Sequence, residues 1–164
     1  MNTETKIAEY NPDIFNEDDA YRFDDASTTQ RFFNLLIDGV LIRYGLSFLT
    51  GMLLASFLLA VSPETAYKLF GQERYSIEVI LGLYLVAILN YTIYYTFCEK
   101  FFRGYTLGKL ITGTRAIRED GKELTFRNAL LRSLSRMVPF EPLSAFGGYP
   151  WHDTWTKTKV IKSR

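Results

Sequence analysis

The hydrophobic pattern of this chain contains two long stretches, residues 44–63 and 79–98, that lack Asp, Glu, Lys and Arg altogether. Each has the ~20 residues that an α-helix needs to cross a hydrocarbon core about 30 Å thick. Inside a bilayer only helices and closed barrels satisfy their own backbone hydrogen bonds, and these stretches are too long for barrel strands. The pattern therefore predicts an α-helical integral membrane protein with two transmembrane helices.

Polar residues beside the apolar stretches indicate where the helices begin and end. Ser27 and Gln30 have the spacing of a capping box, and Ser62-Pro63 interrupts the apolar pattern, which predicts a first helix over 27–61. This helix is longer than a bilayer is thick, so its charged beginning is expected to project into the cytoplasmic interface. The second helix is predicted over 77–98.

The sequence after the second helix has the mixed pattern of a small cytoplasmic or interfacial unit. Asp120-Gly121 is a two-residue turn signal and predicts a small β-hairpin over 114–126. Leucines recur at helical spacing over 126–138 after Thr125, a candidate N-cap, which predicts an amphipathic helix lying either in the headgroup plane or against the protein. The alternation over 156–162 predicts a C-terminal strand that joins the hairpin.

Charge is distributed unevenly along the chain. Residues 1–26 are acidic and are expected to form a largely disordered cytoplasmic tail ahead of a membrane domain over 27–164. Residues 99–164 carry thirteen Lys and Arg against six Asp and Glu. Because positive residues collect on the cytoplasmic flanks of transmembrane helices, both termini are expected in the cytoplasm. The bilayer explains this basic block better than nucleic acid does, so no nucleic-acid partner is expected.

Three polar residues near the start of the first helix form a stripe. Arg31, Asn34 and Asp38 are spaced at i, i+3 and i+7, which places them on one helical face. Ionisable groups near a membrane are costly, so they are usually paired and often functional. The stripe therefore predicts partners elsewhere in the chain.

These residues carry a resemblance to a known family. The segment from Arg31 to Asp38 resembles the opening signature of the RDD family of bacterial membrane proteins, which is named for one arginine and two aspartates. The segment from Gly104 to Gly113 is similar to the family's Gly-x-Thr-x-Gly-Lys stretch, and Trp151-His152-Asp153 resembles its terminal His-Asp signature.

The resemblance implies a multi-pass protein of the bacterial cytoplasmic membrane, with Arg31, Asp38 and Asp153 as the name-giving residues. It also implies a transport role as one candidate, since transport has been proposed for some members. Family members commonly have a third apolar segment before the His-Asp motif. Here residues 138–150 are short and broken by proline, so we expect them not to cross the membrane.

Two interpretations of the polar residues remain open. In one, Arg31, Asp38, His152 and Asp153 form one site that binds a cation or relays protons. In the other, Arg31 acts with Arg132 or Arg136 to neutralise the aspartates and fasten the C-terminal region to the first helix. A single histidine and two distant acids do not make a metal site, and neither a metal nor a cofactor is expected.

Three classes of function follow from these features. The leading prediction is a non-enzymatic membrane subunit or regulator that acts through a membrane protein partner or as a homo-oligomer. The first alternative is a component of an oligomeric transporter or ion-translocating assembly. The second is a lipid-headgroup binder that uses Arg127, Arg132 and Arg136. An enzyme is not expected, because the chain has no nucleophile elbow, zinc-protease motif or glycine-rich nucleotide loop.

Overall fold

Helices dominate the computed structural model of this chain, which describes residues 23–71, 76–144, 147–148 and 150–163. The first helix, α1 (Thr28–Val61), is continuous and contains a π-helical segment, Leu41–Leu46. Its beginning is fixed by a capping box in which the Ser27 hydroxyl accepts from the Gln30 backbone and the Gln30 side chain accepts from the Ser27 backbone. This cap was predicted from the sequence, and it is confirmed.

The second long helix, α3 (Ile77–Phe101), follows a short helix, α2 (Pro63–Phe70), that begins with a proline at its first position. It extends three residues beyond the predicted end at 98, which brings Glu99 and Lys100 into helical geometry. The two long helices meet mainly at the π-helical segment Leu41–Leu46.

Both long helices expose their apolar stretches. The most apolar 18-residue window of each helix is 0% buried in α1 and 6% buried in α3. A core helix of a globular protein would bury most of such a window. By length and composition these are therefore two candidate membrane-spanning helices.

A two-stranded antiparallel sheet joins two distant parts of the chain. Strand β1 (Thr114–Arg118) follows the short helix α4 (Leu107–Thr112) and pairs with β2 (Thr158–Lys162), with Ala116 opposite Val160. The predicted hairpin over 114–126 is therefore wrong. The turn does form, since the Arg118 amide donates to the Lys122 carbonyl at 2.9 Å.

The C-terminal strand, and not residues 122–126, is the partner of β1. This pairing places Val160 and Ile161 in the interior. Residues 122–125 then form no strand, and Leu124 packs into a small core with Ala26, Ala116 and Val160. The C-terminal strand itself is present, but it begins at Thr158 because a short helix occupies the residues before it.

Three further helices are α5 (Phe126–Ser135), α6 (Glu141–Ser144) and α7 (Trp151–Thr156). Together with α4 and the two-stranded sheet they form what we call the polar unit. Helix α5 ends three residues before the predicted limit at 138. Its N-cap is the predicted Thr125, whose hydroxyl accepts from the Asn128 backbone at 3.2 Å. Helix α5 packs against both α3 and α7, so it lies on protein along the face that carries Arg132.

Residues 23–26, which precede α1, are ordered, and this corrects the predicted disorder of residues 1–26 at these positions. Asp25 forms a β-bridge with Ile161, and Ala26 is buried, with its amide donating to the Val160 carbonyl at 2.9 Å. The prediction for residues 1–22 lies outside the described part of the chain.

Candidate functional site

The carboxylate of Asp38 is buried and receives three neutral hydrogen-bond donors. Oδ1 accepts from the Tyr94 hydroxyl and the Gly108 backbone, both at 2.8 Å, and Oδ2 accepts from the Thr106 hydroxyl at 2.6 Å. The side chain is 1% exposed and has no ion-pair partner among the described residues. We call Asp38, Tyr94, Thr106 and Gly108 the Asp38 site. It attaches the start of α4 to both long helices.

Close contact between α1 and α4 allows these hydrogen bonds to form. The Asn34 amide, one turn before Asp38, lies against the hydroxyls of Thr112 and Thr114, at 2.5 and 3.0 Å. Gly108 packs directly on the backbone of Asn34. The Gly-x-Thr-x-Gly-Lys segment therefore docks on the polar stripe of α1.

Glu99 is the centre of a buried ion-pair network near the end of α3. Its Oε1 accepts from Lys109 Nζ at 2.5 Å and from Arg136 Nη2 at 2.7 Å, and its Oε2 accepts from Arg132 Nε at 2.9 Å. Glu99 and Arg132 are both 0% exposed. We call these four residues the Glu99 cluster. It joins α3, α4 and α5 at one point.

Asp153 connects this cluster to the first helix. Arg132 Nη1 donates to Asp153 Oδ1, and Arg31 Nη1 donates to Asp153 Oδ2, each at 2.5 Å. Arg132 also contacts the Thr158 hydroxyl. Burial alone would raise the pKa of Asp153, but the two arginines outweigh burial and hold this pKa well below its usual range. Asp153 is therefore anionic and links α1, α5 and α7.

His152 and Glu141 form a neighbouring pair. His152 Nδ1 lies 2.5 Å from Glu141 Oε1, and its Nε2 lies 3.4 Å from Asp153 Oδ1. Burial, with the nearby charge of Arg136, lowers the pKa of His152 to about 4. Burial alone would raise the pKa of Glu141. The hydrogen bond from His152 outweighs burial and lowers this pKa. The pair at neutral pH is a neutral imidazole beside a carboxylate.

Lys109 belongs to the Glu99 cluster and is also buried, at 3% exposure. Burial lowers its pKa to about 8, and the attraction of Glu99 works in the opposite direction. Lys109 thus keeps most of its positive charge at neutral pH.

The structure separates the residues that the sequence analysis grouped together. Arg31 and Arg132 both bind Asp153, which is the arrangement expected if an arginine pair fastens the C-terminal region to the first helix. Asp38 pairs with neither arginine, so its expected neutralisation by arginine is wrong. Arg31, Asp38 and His152 do line one cavity, although Asp38 makes no hydrogen bond to the other two.

The three arginines expected to contact lipid headgroups differ in their surroundings. Arg127 is exposed, and its predicted contact with lipid stays a prediction. Arg132 is fully enclosed by protein, which contradicts a headgroup role for this residue. Arg136 is paired with Glu99 through one nitrogen and is therefore not a free surface cation.

Sequence reasoning missed Glu99 and Lys109. Glu99 marked only the end of a charge-free stretch, and Lys109 was part of a matched motif without a partner. A carboxylate at the end of an apolar helix, followed ten residues later by the lysine of the Gly-Lys motif, was the available signal. Among the residues that the structure describes, no three His, Cys, Asp or Glu side chains come together to hold a metal ion.

Two exposed apolar helices that are long enough to cross a membrane, joined to a polar unit, are typical of helical membrane proteins. The sequence model of the RDD family matches residues 26–157, and the chain belongs to this family, whose members are generally membrane proteins. Comparisons with curated proteins and with solved structures found no match.

Proposed function

We propose that this chain is a two-span integral protein of a bacterial cytoplasmic membrane, with both termini in the cytoplasm. In this proposal it works without enzymatic activity, as a subunit or regulator that acts through a membrane protein partner or a second copy. The observation that carries the proposal is the exposure of both apolar helices beside a polar unit whose buried carboxylates are hydrogen-bonded within the chain. Side chains such as Phe48 and Tyr84 are each 71% exposed, and this surface needs lipid or protein to cover it.

A contact between the two ends of the described chain supports the placement of both termini on the same side of the membrane. The bridge between Asp25 and Ile161 joins the segment before α1 to the C-terminal strand. Basic residues outnumber acids after α3, whereas the connection over 62–78 holds two basic residues against three acids. The positive-inside rule then favours the cytoplasm for this side.

A transport pathway within one chain has no support among the described contacts. Asp38 is 1% exposed and Asn90 is 7% exposed, and both are hydrogen-bonded inside the chain. A water-lined route through this helix pair would leave one of these polar groups open to solvent. The buried arrangement favours the subunit or regulator over the transporter component.

The outer half of α1 offers a surface for a helical partner. Ser47, Gly51 and Ala55 recur every four residues, a spacing that lets helix backbones approach closely. A side chain added at Gly51 would meet nothing within 4 Å outside its own helix. Packing against α3 therefore does not use Gly51, and the position is free for contact with a partner or a second copy.

Cysteine labelling tests the membrane placement. The native Cys98, the only cysteine of the chain, is first replaced by Ala, and single cysteines are introduced at Asp24 and at Thr65. In intact cells an impermeant maleimide should label the site at 65 and should label the site at 24 only after the membrane is permeabilised. Labelling of position 24 from outside would refute the orientation.

Mass measurements in mild detergent test the role of a partner. Gly51→Leu should reduce the mass of the purified complex or its co-purifying membrane protein. Gly82→Leu is the matched control, because position 82 on α3 is equally open. A wild-type chain that is monomeric and free of partners would contradict the proposal, as would equal effects of both substitutions.

A further inference from the structure

A cavity of about 270 Å³ lies between the first turns of α1 and the segment that carries α6 and α7. This volume is several times the ~30 Å³ that one water molecule occupies in the liquid. The charged residues in its wall are Arg31, Asp38, Lys109, Arg136 and Glu141. Most of the remaining wall is apolar, so the cavity has the mixed lining of a small-molecule site.

Arg136 lines this cavity, and one of its hydrogen-bond donors is unused. Its side chain is 7% exposed, and Nη2 is bound to Glu99. Its Nη1 is buried and has no hydrogen-bond partner among the described residues, as is also true of Nη2 of Arg132, which does not line the cavity. The guanidinium of Arg136 also lies over the Tyr95 ring, with Cζ 4.4 Å from the ring centroid, which holds it in place. A buried donor without a partner is costly, so this position calls for an acceptor.

The surrounding carboxylates are already occupied by donors. Glu99 accepts from three cations and Asp153 from two arginines. Asp38 accepts from three neutral donors, and Glu141 accepts from His152. None of these four carboxylates accepts from Arg136 Nη1, which leaves this donor open to an acceptor from outside the polar unit.

The total charge around the cavity limits what this acceptor can be. Four cations are present, Arg31, Lys109, Arg132 and Arg136, and four carboxylates balance them, Asp38, Glu99, Glu141 and Asp153. His152 is neutral at pH 7. A balanced site tolerates a singly charged group better than a dianion, because each added charge is buried in a low dielectric. A phosphodiester carries one charge, whereas a phosphomonoester carries about two at pH 7.

The apolar part of the wall continues onto the outer surface of α1. Phe32 and Leu35 line the cavity, and both also line an apolar groove that runs along α1 to Tyr44. Phe32 and Leu35 are 55% and 39% exposed. A charged group in the cavity would thus have a hydrocarbon-lined path leading from it in the direction of the apolar helix.

We propose that this cavity binds a membrane phospholipid, with Arg136 Nη1 donating to the phosphodiester and an acyl chain lying along the groove of α1. The exposed and stacked rings of Trp151 and Trp155, 5.6 Å apart, stand on α7 beside the site. Tryptophan is enriched at the headgroup level of membranes, so α7 also suits this depth. The ligand class is a monoanionic phosphodiester bearing an acyl chain.

The binding test uses the full-length chain, delipidated in detergent. Phosphatidylglycerol is added, and its binding is followed by native mass spectrometry and by the shift of the unfolding temperature. Phosphatidylglycerol should bind and stabilise the chain, whereas diacylglycerol, inorganic phosphate and glycerophosphoglycerol should not. Stabilisation by the two soluble phosphates equal to that by the lipid would overturn the lipid assignment.

Substitutions then locate the site. Arg136→Lys keeps a positive charge for Glu99 but removes Nη1, and it should weaken phosphatidylglycerol binding by about tenfold or more, as expected for a charge-assisted hydrogen bond. Leu35→Trp leaves every ion pair in place, obstructs the groove, and should also weaken binding. Each shift is measured against the lipid-free unfolding temperature of the same variant.

Matched controls separate this site from general contact with lipid. Leu89→Trp changes an exposed leucine of α3 that does not line the cavity, and Arg127→Gln removes an exposed arginine of α5. Both controls should bind phosphatidylglycerol as the wild type does. Equal binding by all four variants, or a loss confined to Arg127→Gln, would overturn the proposal. The cysteine-labelling test is independent, so a failure of membrane placement and a failure of this site are distinguishable.

Discussion

Gly108 lies directly on the backbone of Asn34. A Cβ atom at position 108 would come within 2.5 Å of the Asn34 carbonyl oxygen and 2.9 Å of its Cα, distances that no real Cβ tolerates. The same approach brings the Gly108 amide to 2.8 Å from Asp38 Oδ1. Only a residue without a side chain allows α4 to reach the carboxylate of Asp38, so this glycine is required by packing.

The first prediction concerns this close contact. Gly108→Ala should lower the free energy of unfolding in detergent by about 1–3 kcal/mol or more, because α4 must move away from α1 and lengthen the bond to Asp38. Gly82→Ala, at an open position of α3, should leave stability unchanged or raise it slightly. Equal stability of the two variants would show that the contact is looser than the structure indicates.

The second prediction separates a structural role of Asp38 from a role in ion movement. Asp38→Asn keeps one acceptor oxygen but places an amide among donors, so it should cost about 1–2 kcal/mol of stability. Thermal stability in detergent and ion flux in proteoliposomes are measured on the same preparations. Unchanged stability together with lost flux would favour the ion-translocating alternative.

The third prediction concerns the centre of the ion-pair network. Glu99→Gln leaves three buried cations facing a neutral amide, and removal of one partner from a buried network typically costs about 3–5 kcal/mol. Glu64→Gln is the control, since the Glu64–Lys68 pair is exposed and pairs of that kind contribute little. Similar unfolding temperatures for both variants would mean that the cations of the Glu99 cluster find other partners.

The fourth prediction tests the connection between α1 and α7. Arg31→Gln, Asp153→Asn and the double variant form a thermodynamic cycle, and residues in direct contact typically couple by about 0.5–3 kcal/mol. Part of the cost of Asp153→Asn reflects the loss of its second partner, Arg132. Additive effects within error would place Arg31 and Asp153 outside direct contact in solution.

The fifth prediction is a loss of stability on mild acidification. The folded pKa of His152 is about 4, below the value of about 6.5 in the unfolded chain, so the unfolded state binds more protons between these values. Stability is therefore highest above pH 6.5 and falls as the pH decreases. From pH 7 to pH 5 the loss should be on the order of 2 kcal/mol.

His152→Gln provides the matched control for this titration. The variant cannot take up the proton, so its unfolding temperature should change much less between pH 7 and pH 5. The carboxylates Glu141 and Asp153 also have lowered pKa values, but they contribute below about pH 5, near their unfolded values. An identical pH dependence of wild type and variant would assign the titration to another group.

Local signals in the sequence were read correctly where the structure depends on neighbours along the chain. The caps at Ser27 and Thr125 and the turn after Arg118 all form as predicted. The strand expected after this turn does not form, and β1 pairs instead with a strand from the C-terminal end of the chain. A turn signal fixes chain reversal but not the choice of a distant partner.

The polar site was predicted only in part, because contacts between distant parts of the chain leave no local signal. Arg31 and Asp153 carry family motifs, so the family resemblance alone was enough to group them. The burial of Glu99 depends on Lys109, Arg132 and Arg136, which come from two later elements. No spacing along one helix reveals such a convergence, and charge alone favours an exposed glutamate.

The pairing of β1 with β2 has a consequence for biosynthesis. While the ribosome is still adding residues before Thr158, the nascent chain already holds both apolar helices, and β1 has an unsatisfied edge. Such an edge is open to pairing with another polypeptide. The polar unit is therefore complete only after β2 has paired with β1, and a chain interrupted between the two strands would present an edge on which other polypeptides can associate.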